Sequence, residues 1–296
     1  MADLRTVRFI SFGASSVVTT GSLHGSFERQ GMVIEPTETP NSTVQMRGLS
    51  TGEFDIASTA FDNVLAWSGR EGAEIVAIAP AGQSIILPVV VRPEINDWED
   101  LRGKPLAVDA VDTAFALVLR RVLQSHGLDL DAGDYEFVPA GATGSRYESM
   151  EKGETFAAVL NPPWNQRAVE AGMKAFGDHR DVLPNYPGGV YAVSRKFAEE
   201  NRAVVVGFLK GIIESSIWIA DPATADLAAK RLAAESGSRE DEIKSRLRGV
   251  TADMGLNREG LEVVLDLRVR FGLTPPMGAD LAIYVDTSYC EAAVQG

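Results

Sequence analysis

The stretch Gly52 to Trp67 reads Gly-Glu-Phe-Asp-Ile-Ala-Ser-Thr-Ala-Phe-Asp-Asn-Val-Leu-Ala-Trp and changes character three times in sixteen residues. Gly52 and Glu53 close a helical segment, Phe54 to Ala57 form a short apolar run, and Ser58-Thr59-Ala60 are small enough for another molecule to approach the backbone. Asp62 then stands as a candidate N-cap for a helix whose apolar stripe is Val64, Leu65 and Trp67. A buried strand running into a small-residue loop and a helix N-terminus is how open α/β sheets build ligand sites at their carboxyl edge.

The chain around this stretch repeats the plan. Val7 to Phe12 reads as a strand followed by the loop Gly13-Ala14-Ser15-Ser16, and Ser16 to Gln30 as a helix with Gly31 as its stop. Met32 to Glu38 is the next strand, and Asn41-Ser42-Thr43 caps a helix reaching Leu49, which gives a β-α-β-α-β order. Glu74 to Ala81 and Ile85 to Val91 add apolar runs that complete a first lobe. After Pro93 a second series begins: a strand at Pro105 to Val108, a helix from Thr113 to His126, and a strand at Tyr135 to Pro139. A helix at Ser145 to Lys152, a strand at Ala157 to Leu160 and a strand at Lys174 to Gly177 follow. Asn185 to Gly189 is turn-rich and returns the chain to the first lobe through Val190 to Val193. From Ala203 onward the pattern is helical, including Arg239 to Val250 and Arg258 to Phe271, and these helices are expected around the first lobe.

The two series share a register. Leu49, Gly52 and Glu53 correspond to Met150, Gly153 and Glu154 at one offset (150 − 49 = 153 − 52 = 154 − 53 = 101), each trio preceding an apolar strand and a loop. Two similar half-sites are what two lobes gripping one ligand need, although Leu-x-x-Gly-Glu is also ordinary helix-stop chemistry. The expected architecture is therefore α/β, with two three-layer lobes: residues 1–90 with 190–296, and residues 91–189.

Composition narrows the function. A chain of 296 residues with 45% hydrophobic content supports two cores. A net charge of −13 without clustered Lys and Arg argues against nucleic acid as partner. The single cysteine, Cys290, excludes an internal disulfide and a multi-cysteine metal site. His24, His126 and His179 lack metal-ligand spacing, and the phosphate-binding glycine motifs and the Gly-x-Ser-x-Gly elbow are absent, so no cofactor or metal is expected. No run approaches the ~20 apolar residues of a membrane span. The opening Met-Ala-Asp-Leu-Arg-Thr-Val-Arg-Phe lacks a leader's apolar segment. A periplasmic location is expected if a signal peptide has been removed, and a cytoplasmic one otherwise.

The order Ser-x-x-Gln-x-x-x-Leu-x-x-Gly-Glu-Phe-Asp-Ile-Ala (Ser42 to Ala57), followed by Trp-x-x-Leu-Arg-Gly-Lys-Pro-Leu-Ala-Val (Trp98 to Val108), resembles the solute-binding components of ABC importers. The type is the sulfonate, taurine, nitrate and thiamine-pyrimidine group. Gly153 to Val159, Pro162-Pro163-Trp164 and Ala168-x-x-Ala-Gly172 add to the match, which covers most of residues 5 to 220. The resemblance implies a periplasmic-binding-protein-like fold of type 2, with two crossings near Pro88 to Pro93 and Tyr186 to Tyr191 and closure by hinge bending. It also implies a small-molecule solute and a membrane permease as partners. Enzymes that share the fold use a cysteine nucleophile or a cysteine-rich iron motif, and neither motif is present here.

Candidate ligand residues in the first lobe are Ser15, Ser16, Thr59, Phe61 and Asp62. Those in the second are Asp109, Asp112, Thr113, Asn161, Trp164 and Tyr186. Asp62 and Asp112 also read as plain helix caps, and Phe61 and Trp164 as inter-lobe core. A solute receptor is the first function expected, with an enzyme acting on a small aromatic or heterocyclic acid or amine as the alternative. An Arg or His beside a carboxylate would favour the enzyme, and hydroxyls, amides and aromatics alone the receptor. With capping carboxylates on the helix ends and no Lys or Arg in the loops unless Arg92 or Arg146 folds in, the expected solute is neutral or cationic, with an aromatic part stacking on Phe61, Trp164 or Tyr186.

Overall fold

A computed structural model describes residues 4–82 and 85–295, so residues 1–3 of the segment read for a leader lie outside it. The chain opens with β1 (Arg5–Ser11), α1 (Ser16–His24), β2 (Met32–Glu38), α2 (Ser42–Thr51), β3 (Ile56–Ala60), α3 (Phe61–Trp67) and β4 (Ile75–Pro80). A second sheet follows from β5 (Pro88–Val91), β6 (Pro105–Val108), α4 (Ala114–Ser125), β7 (Glu136–Pro139), α5 (Thr143–Glu151), β8 (Ala157–Val159), α6 (Trp164–Glu170) and β9 (Lys174–Asp178). The last third comprises β10 (Gly189–Ser194), α7 (Arg195–Glu200), α8 (Arg202–Ala220), α9 (Ala225–Ser236), α10 (Glu240–Leu247), α11 (Arg258–Arg270) and α12 (Ser288–Gln295).

The strand orders are β2-β1-β3-β10-β4 and β7-β6-β8-β5-β9. In both sheets the first three strands are parallel and the fourth runs antiparallel to its neighbours. The two sheets are thus built alike, and the offset of 101 read from the sequence carries β3 onto β8 (157 − 56 = 101). Gly52 and Gly153 take φ of 76° and 80°, left-handed values that stop α2 and α5 without the cost a side chain would meet. The chain is α/β, as its sequence indicates.

It divides into two compact units, residues 1–83, 188–257 and 276–296, and residues 84–187 and 258–275. Two assignments differ from the expected lobes. The run ending at Val91 does not belong with the first sheet: β5 pairs with β8 and β9, so the first crossing falls before Pro88. Arg258 to Phe271 does not stay with the first unit either. Helix α11 packs on α4, where Arg268 donates to the Asp112 carbonyl at 3.1 Å and Arg120 lies 4.1 Å over the Phe271 ring. Hydrophobic periodicity shows that a segment is a helix but not which sheet covers it. Helix α1 ends six residues short of Gln30, because Gly25 adopts φ 80° and its N–H closes back on Gly21 and Ser22.

In the first unit the core runs from Val7 and Phe9 on β1 through Tyr191 on β10 to Phe208 and Ile212 on α8. Phe9 and Phe208 stack at 6.0 Å, and Phe208 meets Tyr191 edge-on at 5.3 Å. Helix α8 has the length and apolar composition of a membrane span, yet half of that window is buried in the protein, where Val205, Phe208, Leu209 and Ile212 face the sheet. The second unit centres on Val90, Ala107, Met150, Ala158 and Leu160.

Candidate functional site

The parallel strands of each unit end in loops that carry the candidate residues, and the two ends differ in charge. In the first unit Ser15 is the N-cap of α1, its hydroxyl accepting from the Val18 N–H at 3.4 Å and sharing a hydrogen bond with the Tyr191 hydroxyl. Burial pushes the Tyr191 phenol well above its ordinary value, so it stays protonated. Ser16 accepts from Arg246 on α10 at 3.1 Å, which brings an exposed cation to this helix end that the loop sequences do not announce. Thr59 is buried and accepts from the Asn63 amide at 2.9 Å.

Phe61 and Asp62 are each 1% exposed, so neither offers surface to solvent. Asp62 is not the cap of α3. Ala60 holds that position with no side-chain hydrogen bond, and Asp62 lies one residue inside the first turn. Gln45 was given no role in the sequence reading, yet its buried amide donates to the Ser58 carbonyl at 3.0 Å and the Ile10 carbonyl at 3.4 Å, fixing the ends of β3 and β1 together. Its signal was a polar residue four positions before buried Leu49, on the face of α2 that turns inward. Phe12, 49% exposed directly after β1, is the aromatic this unit presents at its strand ends.

In the second unit Asp109 follows β6, and the Thr113 hydroxyl donates to its Oδ1 at 2.5 Å and to the Ala110 carbonyl at 3.0 Å. Thr113, not Asp112, is the N-cap of α4, and its hydroxyl faces Asp109 instead of the helix N–H groups. Asp112 is held through its backbone, by Arg268. At both aspartates residue type suggests a cap, while backbone geometry puts the cap one residue after Asp112 and two before Asp62.

Arg146 on α5 does fold in. Its side chain is 2% exposed, Nη1 lies 3.3 Å from Asp109 Oδ1, Nη2 donates to Thr143 Oγ1 at 2.8 Å, and the guanidinium stands 5.5 Å over the Phe115 ring. Burial pulls Arg146 below its ordinary value, and Asp109 opposes that shift. Arg92, the other basic residue considered, turns away to Glu94 and the Met150 carbonyl.

The remaining candidates adjoin this group along the sheet edge. Asn161 begins the turn into α6, its carbonyl accepting from Trp164 N at 2.9 Å, and the side-chain Oδ1 atoms of Asn161 and Asn165 are buried without a hydrogen-bond partner among the described residues. Trp164, the first residue of α6, is half-buried against α5, close enough that a Cβ on Gly144 would sit 2.9 Å from its ring, and Arg167 covers it at 4.7 Å. Tyr186 is 7% exposed and meets His179 edge-on at 5.6 Å. The strand ends of the second unit therefore gather Asp109, Thr113, Arg146, Asn161 and Trp164, whereas Tyr186 sits in packed surroundings.

Electrostatically the uncapped N-terminus of α4 favours an anion by about 0.3–1 kcal/mol. A carboxylate about 4 Å from that anion opposes it by about 4 kcal/mol at the screening typical of a protein surface. Because Arg146 lies sealed behind Asp109, whose side chain is 29% exposed, the nearer negative charge sets the sign at this end.

The NMT1-like family profile matches residues 7–233. Among curated proteins no sequence match reaches significance. The alkanesulfonate-binding protein SsuA from Xanthomonas axonopodis pv. citri, bound to MOPS, has a similar structure, with TM-score 0.77 and 17% identity over 97% of this chain and 99% of that one. The periplasmic nitrate-binding protein NrtA from Synechocystis PCC 6803 gives TM-score 0.77 and 12% identity over 99% of this chain and 89% of that one. A DszB variant in complex with biphenyl-2-sulfinic acid gives 0.67 and 13% over 98% and 99%. At these identities the likeness is one of fold. The profile match, spanning most of the chain, places this protein in the NMT1-like family.

Proposed function

We propose that this protein is the solute-binding component of an ABC importer, capturing a small organic molecule at its strand-end loops. The observation that carries this reading is the duplication itself: two sheets of the same strand order, offset by 101 residues at β3 and β8, each ending in loops of hydroxyl, amide and aromatic groups. SsuA and NrtA, whose names describe sulfonate and nitrate binding, share that fold. A membrane permease is the partner this role requires, and the periplasm the compartment in which it operates.

Among the described residues the Arg146–Asp109 pair is the feature that favours the second reading, an enzyme on the same fold such as the DszB similarity suggests. Arg146 is sealed from solvent, however, so it cannot exchange a proton with a solute. Cys290 is buried, its thiol pushed up by burial and directed at the Met254 carbonyl at 3.2 Å, which is the opposite of an activated nucleophile. Both facts support binding over catalysis. A thermal-shift screen of small organic solutes, followed by recovery of the bound solute, tests the reading. A true solute raises the melting temperature and is recovered unchanged; turnover of the best binder would replace the receptor with the enzyme.

A further inference from the structure

We propose that Asp109 is the specificity-determining residue of the second unit's strand-end surface and selects a solute bearing a cationic N–H donor, a protonated amine or amino-heterocycle. The inference rests on the solute-binding reading above and gives it a substrate class different from the sulfonate and nitrate in the neighbours' names.

The argument starts from which groups are free to meet a solute. Arg146 is the only basic side chain paired with Asp109 among the described residues, and at 2% exposure it presents none of its N–H groups. Two of its nitrogens engage Asp109 and Thr143, and Nε is buried without a hydrogen-bond partner. The Thr113 hydroxyl is likewise committed, donating to Asp109 Oδ1 at 2.5 Å and to the Ala110 carbonyl at 3.0 Å. Asp109 remains, with 29% of its side chain in solvent, and an ionised carboxylate offers acceptors only. Asn161 on the loop after β8 and Asn165 in the first turn of α6 each leave a side-chain oxygen buried with no donor among the described residues. The exposed ionised group of this end is therefore an acceptor, Asp109.

Arg146 has a definite part in this. A guanidinium 3.3 Å behind the carboxylate and a hydroxyl beside it hold it in one place. That arrangement is preorganised for a donor arriving from solvent.

The test uses the full chain at pH 7.5, with benzylamine and 4-aminopyridine as cationic probes and benzoate and benzenesulfonate as anionic ones, read by thermal shift and calorimetry. The cationic set is expected to bind, and Asp109→Asn to weaken it at least tenfold while leaving the anions no worse. Since Asp109→Asn strands a buried charge at Arg146, the double variant Asp109→Asn with Arg146→Gln, which removes both charges, is measured alongside and should show the same loss. Binding by the anions alone overturns the role of Asp109 and leaves solute binding intact. Unchanged amine affinity in the double variant overturns it too, and absence of binding in either set counts against both this inference and the receptor reading.

Discussion

Asp55 shows how one residue of the opening stretch ties local sequence to the sheet. It lies just before β3, its side chain 5% exposed, and its carboxylate takes the Arg8 backbone N–H at 2.9 Å, Nε at 3.2 Å and Nη2 at 2.5 Å. The pair thereby joins the start of β3 to its neighbour β1 before the ladder begins at Phe9 and Ile56. Because Arg8 keeps much of its solvent contact, the cost of Asp55→Ala comes chiefly from buried donors left unpaired, about 2 kcal/mol. Urea unfolding measures it, and a change under about 0.5 kcal/mol would show the pair to be incidental.

His179 supplies a pH-dependent counterpart. Its Nδ1 accepts from the Leu87 N–H at 3.4 Å, and burial, against the pull of Asp178, holds its pKa below the ordinary 6.5. The unfolded chain therefore binds this proton first as pH falls, so the stability is whole above about pH 6.5 and declines between there and the lower folded value, by up to about 1.4 kcal/mol per pH unit. His179→Gln should flatten the slope of stability between pH 6.5 and 5 relative to the parent, with His24, also lowered by burial, supplying a remainder. An unaltered slope would assign the effect elsewhere. Residues of this kind were poorly legible in the sequence: Arg146 sits mid-helix, where a basic residue usually faces water, and only the position of α5 against β6 turns it inward.

Among elements, the contact of α1 with α8 is the one most sharply set by residue size. Phe27 lies between two glycines, and a Cβ would come within 2.6 Å of its ring at Gly21 and 2.5 Å at Gly211, with Ser215 Oγ at 2.3 Å from the former. The ring stacks on Phe208 at 5.7 Å, deep in the core. Neither Phe27 nor the helix backbones can yield easily, so Gly211→Ala should cost about 1–3 kcal/mol by overpacking even though alanine is the better helix former. Gly31→Ala makes the comparison: it meets nothing within 4 Å and suffers only the strain of φ 76°, about 1 kcal/mol. Should the two variants melt alike, close packing at Phe27 is not what positions α8. Most elements were visible beforehand because apolar period and end signals agree, as at β3, where Gly52 precedes a run buried at Ile56 and Ala57. Helix α12 was not read, since its eight residues give too few turns for a period to emerge.

For the molecule as a whole, the duplicated sheets were legible from the shared register of Gly52 and Gly153, whereas the membership of α11 was not. That helix is separated in sequence from the rest of its unit by residues 188–257, which belong to the other unit. Its inward face carries Leu261, Val264, Leu265 and Leu267, all buried, and Arg268 bonds to the carbonyls of Asp112 and Leu273. Burying four such side chains is worth about 1.5–3 kcal/mol each before entropy is charged against it, a sum comparable with the whole stability of an ordinary domain. The second unit is consequently not contained in residues 84–187. A fragment of those residues alone is expected to remain collapsed and unfolded, with α4 deprived of the cover that α11 gives it. Joining residues 258–275 to it through a flexible linker should restore a cooperative transition, since the loop-closure cost grows only slowly with linker length. Circular dichroism melts of the two constructions decide the matter: a fragment of 84–187 that melts cooperatively without α11 would show that the helix is an accessory to a unit already complete.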